Sequence, residues 1–134
     1  MPLKDGGGTW NQHGDIVFSQ FTGPLMRVAA SGGSPAIISE LKGPTTTHRT
    51  PHFLSDGEHF VFMAAGTDLP LLLGSLRDRT TRALGNVDGL AGVALPDLVL
   101  FVSDGQLFAQ RVEIASGALV NTRQAIVGDV GCRR

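Results

Sequence analysis

PHFLSDGEHFVFMAAGTDLPLLLGSLRDRTTRALGNV, Pro51 to Val87, decides the fold, because its pattern occurs twice more in the chain. It reads as a short strand, a Ser55-Asp56-Gly57 turn and an apolar strand Phe60-Val61-Phe62-Met63. A second turn at Gly66-Thr67-Asp68 follows, then a strand Leu71-Leu72-Leu73 and a last strand around Thr80–Leu84. Asp and Gly suit such turns: Gly tolerates positive φ at no steric cost, and Asp hydrogen-bonds its own backbone. The apolar strand does not alternate with polar residues, which is the pattern of a strand buried on both faces. A helix over Leu69–Leu84 is the competing reading, since leucines 69, 72, 73 and 76 share a helical face. Gly74 within the run, the Thr80-Thr81 pair and the repeat register speak against it.

Working outward, Thr9–Leu41 and Ala91–Val127 repeat the pattern with a period of about 40 residues, in the range of propeller blades. The first turn recurs as His13-Gly14-Asp15 and Pro96-Asp97. The second turn recurs as Thr22-Gly23-Pro24 and Ser103-Asp104-Gly105. Apolar strands recur at Ile16-Val17-Phe18 and Leu98–Val102, third strands at Leu25–Val28 and Leu107–Val112, and fourth strands around Ala36–Ile38 and Gln124–Val127. Twelve short strands with turns between them predict an all-β chain. The expected architecture is three four-stranded antiparallel blades of a β-propeller, approximately 7–43, 48–87 and 89–130, in one domain and amounting to half of a six-bladed ring.

HRTPHFLSDGEHFVF, His48 to Phe62, resembles TolB-like, WD-repeat-like propeller blades, such as those at the C-terminal end of bacterial serine/threonine kinases. LVLFVSDGQLFAQRVE, Leu98 to Glu113, resembles the following blade and TWNQHGDIVFSQFTGPLMRVAASGGSP the preceding one, so the likeness covers about residues 7–130. Thr50 departs from it where an aromatic is usual, and Ser55 where a proline is usual. The resemblance implies a binding or scaffolding propeller and carries over no catalytic residue.

Composition bounds the function classes. A net charge of −1 recruits neither nucleic acid nor an anionic membrane surface. The single cysteine, Cys132, permits no internal disulfide. The N-terminus lacks the apolar core of a signal peptide and no apolar run is long enough to span a bilayer, which makes a cytoplasmic protein the expectation. His48, His52 and His59 lie near Asp56 and Glu58, but a strand separating the two ends of this segment spreads them by about 17–20 Å, too far for one metal. His48-Arg49-Thr50 resembles a kinase catalytic loop but lacks its aspartate, and Gly6-Gly7-Gly8 lacks the Lys-Ser/Thr of a phosphate-binding loop. No cofactor is expected.

The best binding candidate is positional. Loops joining blades, with those joining second and third strands, share one rim of a propeller channel. That rim gathers Thr45, Thr46, Thr47, His48 and Arg49 with Phe21, Thr22, Asp68 and Asp88. His48, Arg49, Asp68 and Asp88 are the candidate ligand-binding residues, for a small ligand or peptide. The expected function is non-catalytic binding and assembly; the alternatives are a hydrolase or lyase with its active site at this mouth, or a fragment of a longer propeller protein. Three blades leave two end faces uncovered, with Val17, Phe18, Leu100 and Phe101 as candidates for exposure. The expected partner is therefore a second copy, in a homodimer that closes the ring.

Overall fold

The computed structural model describes residues 8–20, 22–41, 45–66, 70–94 and 97–127. Among them the chain is all-β, with no helix, and forms three four-stranded antiparallel sheets in sequence order. The first contains β1 (Gly8–Trp10), β2 (Asp15–Ser19), β3 (Leu25–Ala29) and β4 (Ala36–Ile37). The second contains β5 (Thr47–Phe53), β6 (His59–Ala65), β7 (Leu71–Ser75) and β8 (Thr81–Gly85). The third contains β9 (Gly89–Ala94), β10 (Leu98–Ser103), β11 (Gln106–Glu113) and β12 (Ala118–Val127). Every strand pairs with its sequence neighbour, so each sheet is an up-and-down meander. Within Leu69–Leu84, residues 70–84 carry β7 and most of β8, which replaces the helical alternative.

The sheets lie face against face, the middle one between the other two, with β1 and β2 beside β5, β5 beside β9 and β8 beside β12. Two apolar layers fill the junctions. Val17, Leu25 and Ile38 of the first sheet pack on Phe60 and Phe62 of the second. Val61, Leu71 and Leu73, on the opposite face of the second sheet, pack with Val99, Phe101 and Val112 of the third. Phe60, Val61 and Phe62 are consecutive and each fully buried. A strand apolar without alternation is what burial on both faces requires.

Gly74 allows this packing. It pairs with Phe60 across β6 and β7, and a Cβ there would stand 2.7 Å from two atoms of the Phe60 ring. The ring lies in the space that glycine leaves, so the residue that argues against a helix also seats the core aromatic.

The turn between β5 and β6 has the expected chemistry. Asp56 Oδ1 accepts from the backbone N–H groups of Glu58 and His59 at 2.9 Å each, and Gly57 takes φ +70. Burial would raise the Asp56 pKa, but these N–H donors and the His59 imidazole, 2.6 Å from Oδ2, outweigh it and hold the carboxyl below its usual value. Polar contacts then link this turn to its counterparts in both neighbouring sheets. Asn11 Nδ2 donates to Gly57 O at 2.6 Å, and Ser55 donates through N and Oγ to the two carboxylate oxygens of Asp97, both at 2.9 Å.

Two boundaries differ from the sequence reading. β5 begins at Thr47, which places His48 in a strand and not in the loop before it. A register shift between Arg49 and His52, with Thr50 at φ +54, absorbs the extra residue needed to start that early. β12 begins at Ala118, six residues before the expected Gln124, with register shifts that hide its continuity in the sequence. Of the expected turns, Thr67, Asp68 and Pro96 lie outside the described residues.

Replacing Gly57 by Val is expected to lower the melting temperature. A left-handed backbone costs a non-glycine residue about 1–2 kcal/mol. A Cβ there would also come within 2.5 Å of Gln12 Oε1. Gly74→Ala is expected to cost at least as much, because its Cβ meets a packed ring and not a side-chain end. Thermal or urea unfolding of both variants reads this, and wild-type stability in either would refute the packing described.

Candidate functional site

The four candidate rim residues have different fates. His48 is buried, 2% exposed, so it offers no surface to a ligand. Its side chain joins two sheets. Leu25 N–H donates to Ser39 Oγ at 2.8 Å, and the same hydroxyl bonds His48 Nδ1 at 2.7 Å. The direction of this second bond follows the imidazole tautomer, since a serine hydroxyl both donates and accepts. The ring meets Phe62 edge-on with centroids 4.9 Å apart, and the His48 backbone N–H donates to Gly23 O at 2.9 Å. Burial pushes the His48 pKa down to about 4. The reading of His48 as an accessible rim residue is thereby corrected.

Arg49 is exposed and pairs with Met63, so it stands on the face of the second sheet that looks toward the third. Asp88, also exposed, immediately precedes β9. Its Oδ2 accepts from Asp104 N–H at 2.8 Å, bracing the turn where Asp104 takes φ +53. Among the described residues no ion pair joins Arg49 to Asp88, and Asp68 and Phe21 lie outside them. Gly23 and Thr47 form a parallel bridge, which brings the Thr22-Gly23 turn against the start of β5. Thr47 itself is buried. No group of three metal-ligating side chains occurs among the described residues, and Cys132 is outside them.

The larger feature is the pair of outer sheet faces. Cross-strand register puts Trp10, Ile16 and Val28 in one row of the first sheet, and Phe18, Met26 and Ile37 in the next. All six are apolar and all point away from the second sheet; Trp10 is 67% and Ile37 55% exposed. The third sheet turns Leu98, Leu100, Val102, Leu107 and Val120 away from the second, and these are half-buried.

The repeat says what these faces lack. Phe18, Phe62 and Phe101 hold the same place in their sheets, each on the second strand and paired with an apolar third-strand residue, Met26, Leu72 and Phe108. Phe62 and Phe101 are fully buried by the preceding sheet, whereas Phe18 is only half-buried. Val17, Val61 and Leu100 hold the adjacent place, facing the following sheet. The first two are fully buried and Leu100 is not. Of the four residues expected at exposed faces, Phe18 and Leu100 lie on them; Val17 and Phe101 point inward, because neighbouring residues of a strand face opposite ways.

Ser39 escaped the sequence reading, since no motif marks a serine that follows a two-residue strand. The arginines between the first two sheets, Arg27, Arg77 and Arg79, also escaped it; they come from separate turns and strands, and only the density of Arg77, Arg79 and Arg82 hinted at them.

His48 gives a pH dependence of known sign. The folded state holds it neutral down to about pH 4, while the unfolded chain protonates it at about 6.5. Its contribution is therefore complete above pH 6.5 and is lost as pH falls toward 4, by up to about 1.4 kcal/mol per unit. Urea unfolding between pH 7 and pH 4 should show this slope in the wild type and less of it in His48→Gln. Unchanged slopes would remove His48 as the cause.

Comparison with protein-family models finds no match to this chain, and comparison with curated proteins finds none either. The functional reading therefore rests on the residues and their geometry.

Proposed function

We propose that the chain is a β-propeller binding and assembly module without catalytic activity, which completes a six-bladed ring by pairing with a second copy of itself. One observation carries the reading: Phe18 and Leu100 occupy positions that are fully buried wherever a neighbouring sheet is present. Among the described residues no sheet precedes the first and none follows the third. A second copy supplies both neighbours at once. Its third sheet would cover Trp10, Phe18 and Met26, and its first sheet would cover Leu98, Leu100 and Val102. The junction repeats the one inside the chain, with large side chains on the following sheet meeting smaller aliphatic ones on the preceding sheet.

Closure also fits the counting of blades. Propellers hold about four to eight, and two copies of three sheets give six. A two-fold axis along the channel makes two identical junctions and leaves no free face. In that ring Arg49 and Asp88 remain the exposed polar groups for a small ligand or peptide at the channel mouth.

Sedimentation equilibrium or light scattering at micromolar concentration should give twice the 14.1 kDa chain mass. Phe18→Glu, which buries a charge at the junction, should return the protein to a monomer while the far-UV spectrum stays β. A stable wild-type monomer would overturn the ring, and would favour a fragment whose missing blades cover these faces in a longer chain.

A further inference from the structure

A cleft of about 420 Å³ opens between the first and second sheets, beside the turns that link them. Arg27, Arg77 and Arg79 line it, together with Asp15, Asp56 and Glu58. The carboxylates are already engaged. Asp15 accepts from Arg27 Nε at 2.8 Å, Asp56 is held by its own turn and by His59, and Glu58 accepts from Ser75 Oγ at 3.3 Å. Arg27 is spent on Asp15, but Arg77 and Arg79 are less engaged. Arg77 is 78% exposed and only 3.5 Å from Glu58 Oε1, a long contact worth little in water. Arg79 donates one bond, Nη2 to Ile37 O at 3.0 Å, and has no ion pair among the described residues.

The second junction shows what this architecture does and does not require. Its corresponding cleft, between the second and third sheets, is about 220 Å³ and is lined by Leu73, Ala115 and Gly117 together with His59, Asp78 and Arg82. Leu73 stands in the place of Arg27, since Val17 pairs with Arg27 and Val61 with Leu73. The two outer turns correspond as well: Arg79 N–H bonds Ser75 O at 2.9 Å, and Gly117 N–H bonds Glu113 O at 2.8 Å. Ala115 thus corresponds to Arg77, and Gly117 to Arg79.

Both closing residues have positive φ, +58 at Arg79 and +69 at Gly117. Glycine adopts that conformation freely, whereas arginine is strained in it. The second junction has one arginine of its own, Arg82, which bonds Ser116 O at 3.1 Å from the opposite wall and lies against Gly117. One arginine per junction therefore ties a sheet to its neighbour's backbone. The first junction carries two more, in a cleft of about twice the volume, and accepts backbone strain at one of its three.

We propose that this cleft binds a small molecule bearing a carboxylate or phosphate group, held by Arg77 and by the unspent guanidinium N–H groups of Arg79. Arginine suits such a group because its planar donor fork matches two oxygens at once. The cleft lies within one chain, so the site is independent of ring closure.

Inorganic phosphate and citrate serve as probes, by isothermal titration or by chemical shifts of the wild-type protein. Saturable binding of at least one, in the millimolar range, is expected. Arg77→Ala and Arg79→Gly install the residues of the second junction. Arg77→Ala should weaken binding tenfold or more with melting temperature and molecular mass unchanged. Arg79→Gly should weaken it too while relieving the strained backbone, so its loss is not a folding defect. No saturable binding of either probe, or equal binding in wild type and Arg77→Ala, would overturn the site. Because mass is read in the same samples, failure of the site and failure of the dimer are separate results.

Discussion

A sheet apolar on both faces cannot be satisfied by one neighbour, and the structure follows from this constraint. The middle sheet meets it: Phe60 and Phe62 face one way, Val61 the other, and all three are excluded from water. Each buried side chain of this size contributes about 1.5–3 kcal/mol relative to exposure. Three consecutive residues therefore bind the middle sheet to both others. The end sheets have the same two-faced sequence but, among the described residues, one neighbour each, and their outer rows stay half in water. The core is accordingly not a single centre but a series of layers, and nothing in a layer itself dictates where the series stops.

Apolar layers are poor at fixing angle and register, and polar contacts at the edges supply that. Asn11 reaches Gly57 O, Ser55 reaches Asp97, and Ser39 reaches His48, each from one sheet to the next. Arg79 and Arg82 lie on either side of Thr80 and reach backbone carbonyls in opposite neighbours, Ile37 and Ser116. The Ser39–His48 bond is the most enclosed of these. A buried hydrogen bond adds only about 0.5–1.5 kcal/mol when made, but an unsatisfied partner costs about 1–3 kcal/mol. Its effect is therefore to penalise other placements of β5 more than to strengthen the native one.

How much of this the sequence displays depends on the range of the interaction. The Asp56-Gly57 turn and the unbroken apolar run Phe60–Met63 are local signals, and both read correctly. The start of β5 is not local: Thr50 before Pro51 looks like a break, and only the bulge seen in the register lets the strand continue through it. The same holds for β12, where Asn121 takes φ +64 inside a strand. The exposed faces were legible as a consequence of three repeats, but the assignment of Val17 against Phe18 needed the parity of the strand. Beyond the density of Arg77, Arg79 and Arg82 the cleft was illegible, because residues 27, 77 and 79 meet only once two sheets are in place.

Internal repetition supplies something that a single domain of this size does not, which is a control inside the molecule. Where two junctions agree, as at Phe62 and Phe101 or at the turn links, the shared chemistry belongs to the architecture. Where they differ without disturbing the fold, the difference is free for another purpose. Leu73, Ala115 and Gly117 stand at one junction, whose smaller cleft also takes in Asp78 and Arg82. Arg27, Arg77 and Arg79 line the larger cleft of the other, with Asp15, Asp56 and Glu58. Since the sheets stack either way, packing does not account for Arg77, whose guanidinium makes only a long contact with Glu58. The remaining physical property that distinguishes the first junction is a concentration of directed N–H donors, at one edge of a chain whose net charge is close to zero. Asp15, Asp56 and Glu58 stand among these donors, so what distinguishes the first junction is the direction of its N–H groups and not a net positive charge.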